Sequence, residues 1–228
     1  MTTVDGANPN HTPPDDAALR RAVLEAALPR LGADGFTDKT LNYAAAAANV
    51  DAPTLQRLFP NGGQDLVDAF SEWADDQMDA TLKSTPLSEM KIRERIKAAV
   101  NARIAALRPH KDVARRAAAV LTLPQNATLA IRVLYRTVDR MWRAAGDTST
   151  DFNFYTKRII LAGVYSSTML RWFTDDSEDE KPTFEFLDAR IENVMQFEKF
   201  KAEVNDQLSK FPSLSEILSR LSGRHPSE

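Results

Sequence analysis

The sequence contains no cysteine. That excludes a disulfide framework, thiol chemistry and any zinc-thiolate site, and it fits a reducing compartment. Histidine is also scarce. His11, His110 and His225 are dispersed, and none sits with Glu or Asp at metal-ligand spacing. Glycine is rare, eight residues in 228, and no Gly-rich phosphate loop follows a strand. No apolar run approaches the ~18 residues of a spanning helix. Residues 1–14, MTTVDGANPNHTPP, lack the basic start and apolar stretch of a secretory signal and read as a disordered tail. These absences lead to the expectation of a soluble, non-enzymatic chain with no metal and no cofactor, whose membrane contact is at most peripheral.

What is present is helix-forming sequence. Hydrophobic residues make up 43% of the chain, enough for a sizeable core, and the length suits one large domain or two small ones. The class is expected to be all-α. Spacing predicts helices over 15–33, from Thr37 to Ala48, a short one ending near Phe59-Pro60, and 64–83. Further helices are expected from Pro86 to about Arg108, from Lys111 to Thr122, from Gln125 to Ala145, and over 153–173. A helix near 182–196 and one or two more complete the chain. The stretch 153–173 is apolar nearly all round, which suits a central helix.

The net charge of −3 conceals a division. Residues 1–80 hold five Lys or Arg against thirteen Asp or Glu, whereas residues 83–143 hold fourteen against four. Lys91, Arg93, Arg95, Lys97, Arg103 and Arg108 either meet anionic lipid headgroups, or form a solvated helix face or partners for the acidic half.

Residues 22–70 show a paired-Ala first helix, a Gly-Phe-Thr entry, a small-residue second helix, Val50 at a turn, Thr54-Leu55 inside the third helix and Phe59-Pro60 at its end. This resembles the N-terminal helix-turn-helix domain of tetracycline-repressor (TetR) family regulators. DNA affinity rests largely on cationic phosphate contacts. Here Asp51 opens the third helix, and Arg57 is the only cation between residues 44 and 70. The motif is therefore expected to survive as scaffold with no nucleic-acid partner. The alternative is a TetR-type regulator that senses a hydrophobic ligand.

A longer signature runs from Met141-Trp142-Arg143 through Gly146-Asp147, Asp151-Phe152-Asn153-Phe154-Tyr155 and Lys157-Arg158, and on to Phe186-Leu187-Asp188-Ala189-Arg190-Ile191. It resembles the ubiquinone (coenzyme Q) biosynthesis accessory family, the ninth of the Coq proteins, over about residues 18–196. The resemblance implies a TetR-like fold whose C-terminal helices bind isoprenoid lipid and present quinone intermediates to the demethoxyubiquinone hydroxylase. It also implies a homodimer on the inner-membrane surface, in a bacterial setting on the cytoplasmic side.

By the same resemblance, Asp147, Asp151, Phe154, Tyr155 and Arg158 are expected to contact the hydroxylase. Family members often carry Trp where Phe154 stands. Plain core packing, with Asp151 as a helix cap, is the other reading of these residues. The lipid is expected between the helices on either side, at Leu134, Tyr135, Val138, Met141 and Trp142 facing Ile160, Val164 and Met169, with an ordinary filled core as the alternative. Leu214, Ile217, Leu218 and Leu221 lie at i, i+3, i+4 and i+7 and are expected to touch the membrane. The expected divisions are a tail over 1–14, a helix-turn-helix-like domain over 15–80, a lipid-binding domain over 81–196 and a C-terminal segment over 197–228.

Overall fold

The structure, a computed structural model, describes residues 15–148 and 152–209. Every regular element among them is helical: α1 (Asp16–Asp34), α2 (Asp38–Ala47), α3 (Ala52–Leu58), α4 (Gly63–Lys83), α5 (Ile92–Leu107), α6 (Lys111–Leu121), α7 (Ala127–Ala144), α8 (Phe152–Phe173) and α9 (Lys181–Ser209), with three short 3-10 turns. The chain through Phe173 forms one compact unit, and the chain from Thr174 onward forms a second. Among the described residues no single helix is long and apolar enough to cross a membrane.

Local chemistry starts the first helices where the sequence predicts. The Asp15 carboxylate accepts from Ala17 N–H (3.2 Å), Thr37 Oγ1 from Thr40 N–H (3.2 Å) and Asp51 from Thr54 N–H (2.8 Å). Each satisfies a donor that a helix start would leave bare. Gly35, at φ 71°, ends α1 by donating to the Leu31 carbonyl at 3.2 Å. A Cβ on Gly63 would lie 2.2 Å from the Phe36 carbonyl oxygen, so only glycine lets α4 begin this close to the α1–α2 turn.

Two helix boundaries differ from expectation. Pro86 precedes a 3-10 turn, Leu87–Glu89, and α5 begins only at Ile92. The Glu94 carboxylate accepts from Lys91 N–H at 3.0 Å and sets the start there. Near the C-terminus, the helix expected over about 182–196 runs from Lys181 to Ser209, and the residues after Ser209 lie outside the described ones. No Gly or Pro interrupts residues 183–209, so nothing in the backbone stops it.

In the first unit, Val23, Leu24, Ala27 and Leu31 of α1 are fully buried, and α1 packs on α2, α4 and α6. Ala44 and Ala45 are buried and let α2 approach closely, while Val50, Leu55 and Phe59 complete the small core. The helix α4 then packs on α5 and α7, and α7 on α8.

The charge division becomes a seam between helices. Asp68 of α4 pairs with Arg132 (3.2 Å) and Arg136 (2.7 Å) of α7. Asp75 pairs with Arg136 (3.2 Å), and Arg140 reaches Asp76 (2.7 Å) and Asp79 (3.7 Å). Acidic and basic residues at helical spacing on facing helices thus neutralise one another.

Arg103 departs from the headgroup reading altogether. It is 3% exposed and forms an ion pair with the fully buried Asp75. Its guanidinium also donates to Ser71 Oγ (2.9 Å), to the Ser71 carbonyl (3.3 Å) and to Tyr165 Oη (2.7 Å). A guanidinium this deep needs all of these acceptors, and they are what pull it inward from the lipid-facing role.

In the second unit, one carboxylate organises the entry to α9. Asp175 accepts from Ser177 N–H (3.1 Å) and Ser177 Oγ (2.6 Å) through one oxygen and from Thr183 N–H (2.9 Å) through the other. The Ser177 and Thr183 hydroxyls, ahead of the opposing burial, hold its carboxyl well below the usual carboxylate range.

Two outcomes follow. Arg103→Ala leaves buried acceptors without their donor and is expected to cost about 3 kcal/mol, read as a lower urea midpoint. Because the folded Asp175 titrates below its unfolded value, its stabilisation is complete above about pH 4 and fades only as pH falls below that. Thr183 amide exchange should therefore stay protected down to about pH 4. Asp175→Asn should speed that exchange at neutral pH.

Candidate functional site

A cavity of about 320 Å³ lies among α4, α5, α6, α7 and α8. Small residues open it: Ala114, Ala117 and Ala118 of α6 stand at i, i+3 and i+4 along one face. Larger side chains surround that face, among them Phe70, Val133, Met169 and Phe173. Leu170 is exposed and Leu134 half-buried, and both line the cavity, so they mark its rim.

Polar groups gather in the same lining. Arg103, Ser71, Tyr165 and Thr137 all contribute to the wall. Burial holds the Tyr165 hydroxyl above its ordinary pKa while Arg103 pulls the other way, so the phenol is protonated at neutral pH. An apolar chamber with a few converging polar groups suits a largely hydrocarbon ligand.

Of the residues expected to hold lipid, Leu134 and Met169 line this cavity. Val138, Met141 and Val164 are buried but do not line it, and Ile160 is half-buried and also off it. Tyr135 is 43% exposed. Trp142 instead donates its indole N–H to the Lys157 carbonyl (3.0 Å), with the Lys157 ammonium 5.5 Å from its ring centre. The α7 stripe facing the cavity is thus Ala130, Val133, Leu134 and Thr137, about one turn earlier than expected. The α6 contribution went unread, although its run of alanines marks a face too small to fill the space opposite it.

The second candidate is the connection between α7 and α8. Arg158, 2% exposed, donates to Asp139 (2.7 Å), to Asp147 (3.1 Å) and to the Phe154 carbonyl (3.0 Å). Its guanidinium carbon lies 3.4 Å from the Phe154 ring centre, and Phe154 meets Tyr155 edge-on at 5.2 Å. Lys157 adds a contact to Asp147 at 2.7 Å. The structure thereby brings together Asp147, Phe154, Tyr155 and Arg158. Asp151 lies outside the described residues, as do Leu214, Ile217, Leu218 and Leu221. Asp147 and Arg158 are spent on each other inside the fold. Tyr155 (60% exposed) and its neighbour Ile159 (72%) face outward.

The helix-turn-helix region is tied up internally. Arg57 is paired with Asp16, and Arg20 donates to the Leu58 carbonyl while lying over the Phe59 ring. Asp65 accepts from Asn61 N–H (2.7 Å), and Asp38 from Gly63 N–H (3.1 Å), so both acids close the start of α4. Among the described residues no group of three or more His, Asp or Glu side chains is arranged to hold a metal.

Residues 127–198, from the first turn of α7 into α9, match the COQ9 family model. The rat protein named ubiquinone biosynthesis protein COQ9, mitochondrial, is 32% identical over 184 residues, a match covering 78% of this chain and 59% of that protein. Its human counterpart is 31% identical, with 78% and 58% covered. The chain belongs to the COQ9 family. It spans about three-fifths of the length of the curated relatives it matches. Those relatives are mitochondrial by name, where the sequence reading expects a bacterial cytoplasm. Among solved structures, a TetR transcriptional regulator from Nitrosomonas europaea matches 78% of this chain and 99% of its own, at TM-score 0.60 and 20% identity. The COQ9-family chain therefore has the expected TetR-like all-α fold.

The two kinds of residue at the α7–α8 connection separate on substitution. Arg158→Ala removes a buried guanidinium but leaves Asp139 to Arg143 and Asp147 to Lys157; it is expected to lower stability by about 2 kcal/mol, whereas Tyr155→Ala should stay within about 0.5 kcal/mol of the parent in the same urea titration.

Proposed function

We propose that the chain is a non-enzymatic, lipid-binding accessory protein of ubiquinone biosynthesis. It binds isoprenoid quinone intermediates between α4 and α8 and presents them to the demethoxyubiquinone hydroxylase. The observation that carries this reading is the apolar cavity of about 320 Å³ in a chain of the COQ9 family. Pockets that enclose a whole small ligand run from ~300 to ~1,000 Å³, so a cavity at the low end takes one end of a long isoprenoid. The remainder leaves past Leu134 and Leu170. No resident cofactor is needed, because the ligand is the cargo.

Tyr155 and Ile159 support a docking role for the start of α8. Exposed aromatic and aliphatic side chains on a rigid base are what a protein partner buries. Beneath them, the Arg158 cluster holds that base in place. Homodimerisation and peripheral contact with the inner membrane belong to the same reading, in a mitochondrial setting like that named for the relatives. The regulator alternative is not favoured: the matched relatives are biosynthesis proteins by name, and the single cation of residues 44–70 is already paired with Asp16.

Lipid extracted from the purified chain should contain an isoprenoid quinone or its precursor, identified by mass spectrometry. Ala117→Leu, which fills the cavity from α6, should lower bound lipid about tenfold. A strain lacking the chain should accumulate demethoxyubiquinone, and Tyr155→Ala should weaken capture of the hydroxylase. Extracts free of isoprenoid, together with a normal quinone profile in the deletion strain, would sink the proposal.

A further inference from the structure

Three buried side-chain oxygens have no hydrogen-bond partner among the described residues: those of Asn101, Asn126 and Thr137. Only Thr137 lines the cavity. It is 1% exposed and sits in the middle of α7. A hydroxyl buried without a partner is costly, and it is kept most readily where something else supplies the partner.

Across the same chamber, Tyr165 Oη accepts from Arg103 Nε at 2.7 Å. That bond uses a lone pair and leaves the phenolic proton unspent. Arg103 cannot take the proton, being a donor throughout. The cavity wall thus carries two hydroxyl protons, on Thr137 and Tyr165, with no acceptor assigned to either. The remaining charge is balanced, since Arg103 is held by Asp75 and Asp75 is shared with Arg136. The chamber therefore has no free charge to attract a carboxylate or phosphate, but it does have donors for a neutral oxygen.

We infer that Thr137 and Tyr165 select an apolar ligand that carries a hydrogen-bond-accepting oxygen, a carbonyl or an ether, and that this oxygen-bearing end is the one that enters the cavity. The inference rests on the lipid-binding reading above and names the part of the ligand that is read. Hydrocarbon chain provides burial against the alanine face of α6 and the rim leucines. The two hydroxyls discriminate between ligands of equal apolar area, because an all-hydrocarbon ligand leaves both donors unpaired.

Thr137 is the residue to change, since its hydroxyl serves no bond within the fold. The full chain is titrated with a short-tailed prenyl quinone and with a terpene hydrocarbon of matched tail length, following quenching of intrinsic fluorescence. The parent should prefer the quinone. Thr137→Val should weaken quinone binding about five- to tenfold, leave hydrocarbon binding unchanged or tighter, and keep or raise the urea midpoint. Thr137→Ser, which restores the hydroxyl, should restore the preference. Equal quinone affinity in the parent and Thr137→Val overturns the inference, as does an equal loss for both probes. Binding of both probes without discrimination overturns it while leaving lipid binding intact. If neither probe binds, both readings fall.

Discussion

The Arg103 guanidinium sits where α4, α5 and α8 meet, and the cavity exists beside it because of how that cation is satisfied. Taking an arginine out of water costs several kcal/mol unless its donors are all met. Asp75 and Ser71 meet them from α4 and Tyr165 from α8. Those bonds hold the three helices at a fixed spacing. Over most of its length α6 presents alanines toward them, Ala114, Ala117 and Ala118, which leave the space unfilled.

The same carboxylate ties this buried centre to the surface seam. Asp75 is shared between Arg103 and Arg136, and Arg136 in turn holds Asp68. The chain of alternating charge runs from the protein interior to the exposed Arg132 on α7. Exposed pairs of this kind add little individually. Their role is to set the register of α7 against α4, which decides that Thr137 and Val133 face the cavity and that Ile131 and Tyr135 face outward. At the other end of α7, Arg158 gathers Asp139 and Asp147 around the start of α8. Buried guanidinium ions thus anchor both the candidate chamber and the candidate docking surface.

In the N-terminal helices, the acids that make a poor phosphate reader have structural work. Asp51 caps α3, Asp38 and Asp65 close the start of α4, and Asp16 holds Arg57. A regulator needs comparable positions to stay cationic and exposed. Here the fold uses them internally.

The sequence alone determined the helical class, the helix starts near residues 15 and 37 and at Asp51, and the breaks between most helices, because these depend on neighbours within a few residues. It also carried the 141–158 signature and the gathering of Asp147, Phe154, Tyr155 and Arg158, which lie on one short connection. The sequence could not show that Arg103 is buried, since its acceptors lie 28 and 62 residues away. Nor could it show that α7 turns Leu134 and Thr137 to the cavity and Val138 and Met141 to the filled core. Both stripes have the same apolar periodicity. Only the packing of α4 and α6 against α7 decides which one meets empty space, and that packing is set by long-range ion pairs and by the small side chains of α6.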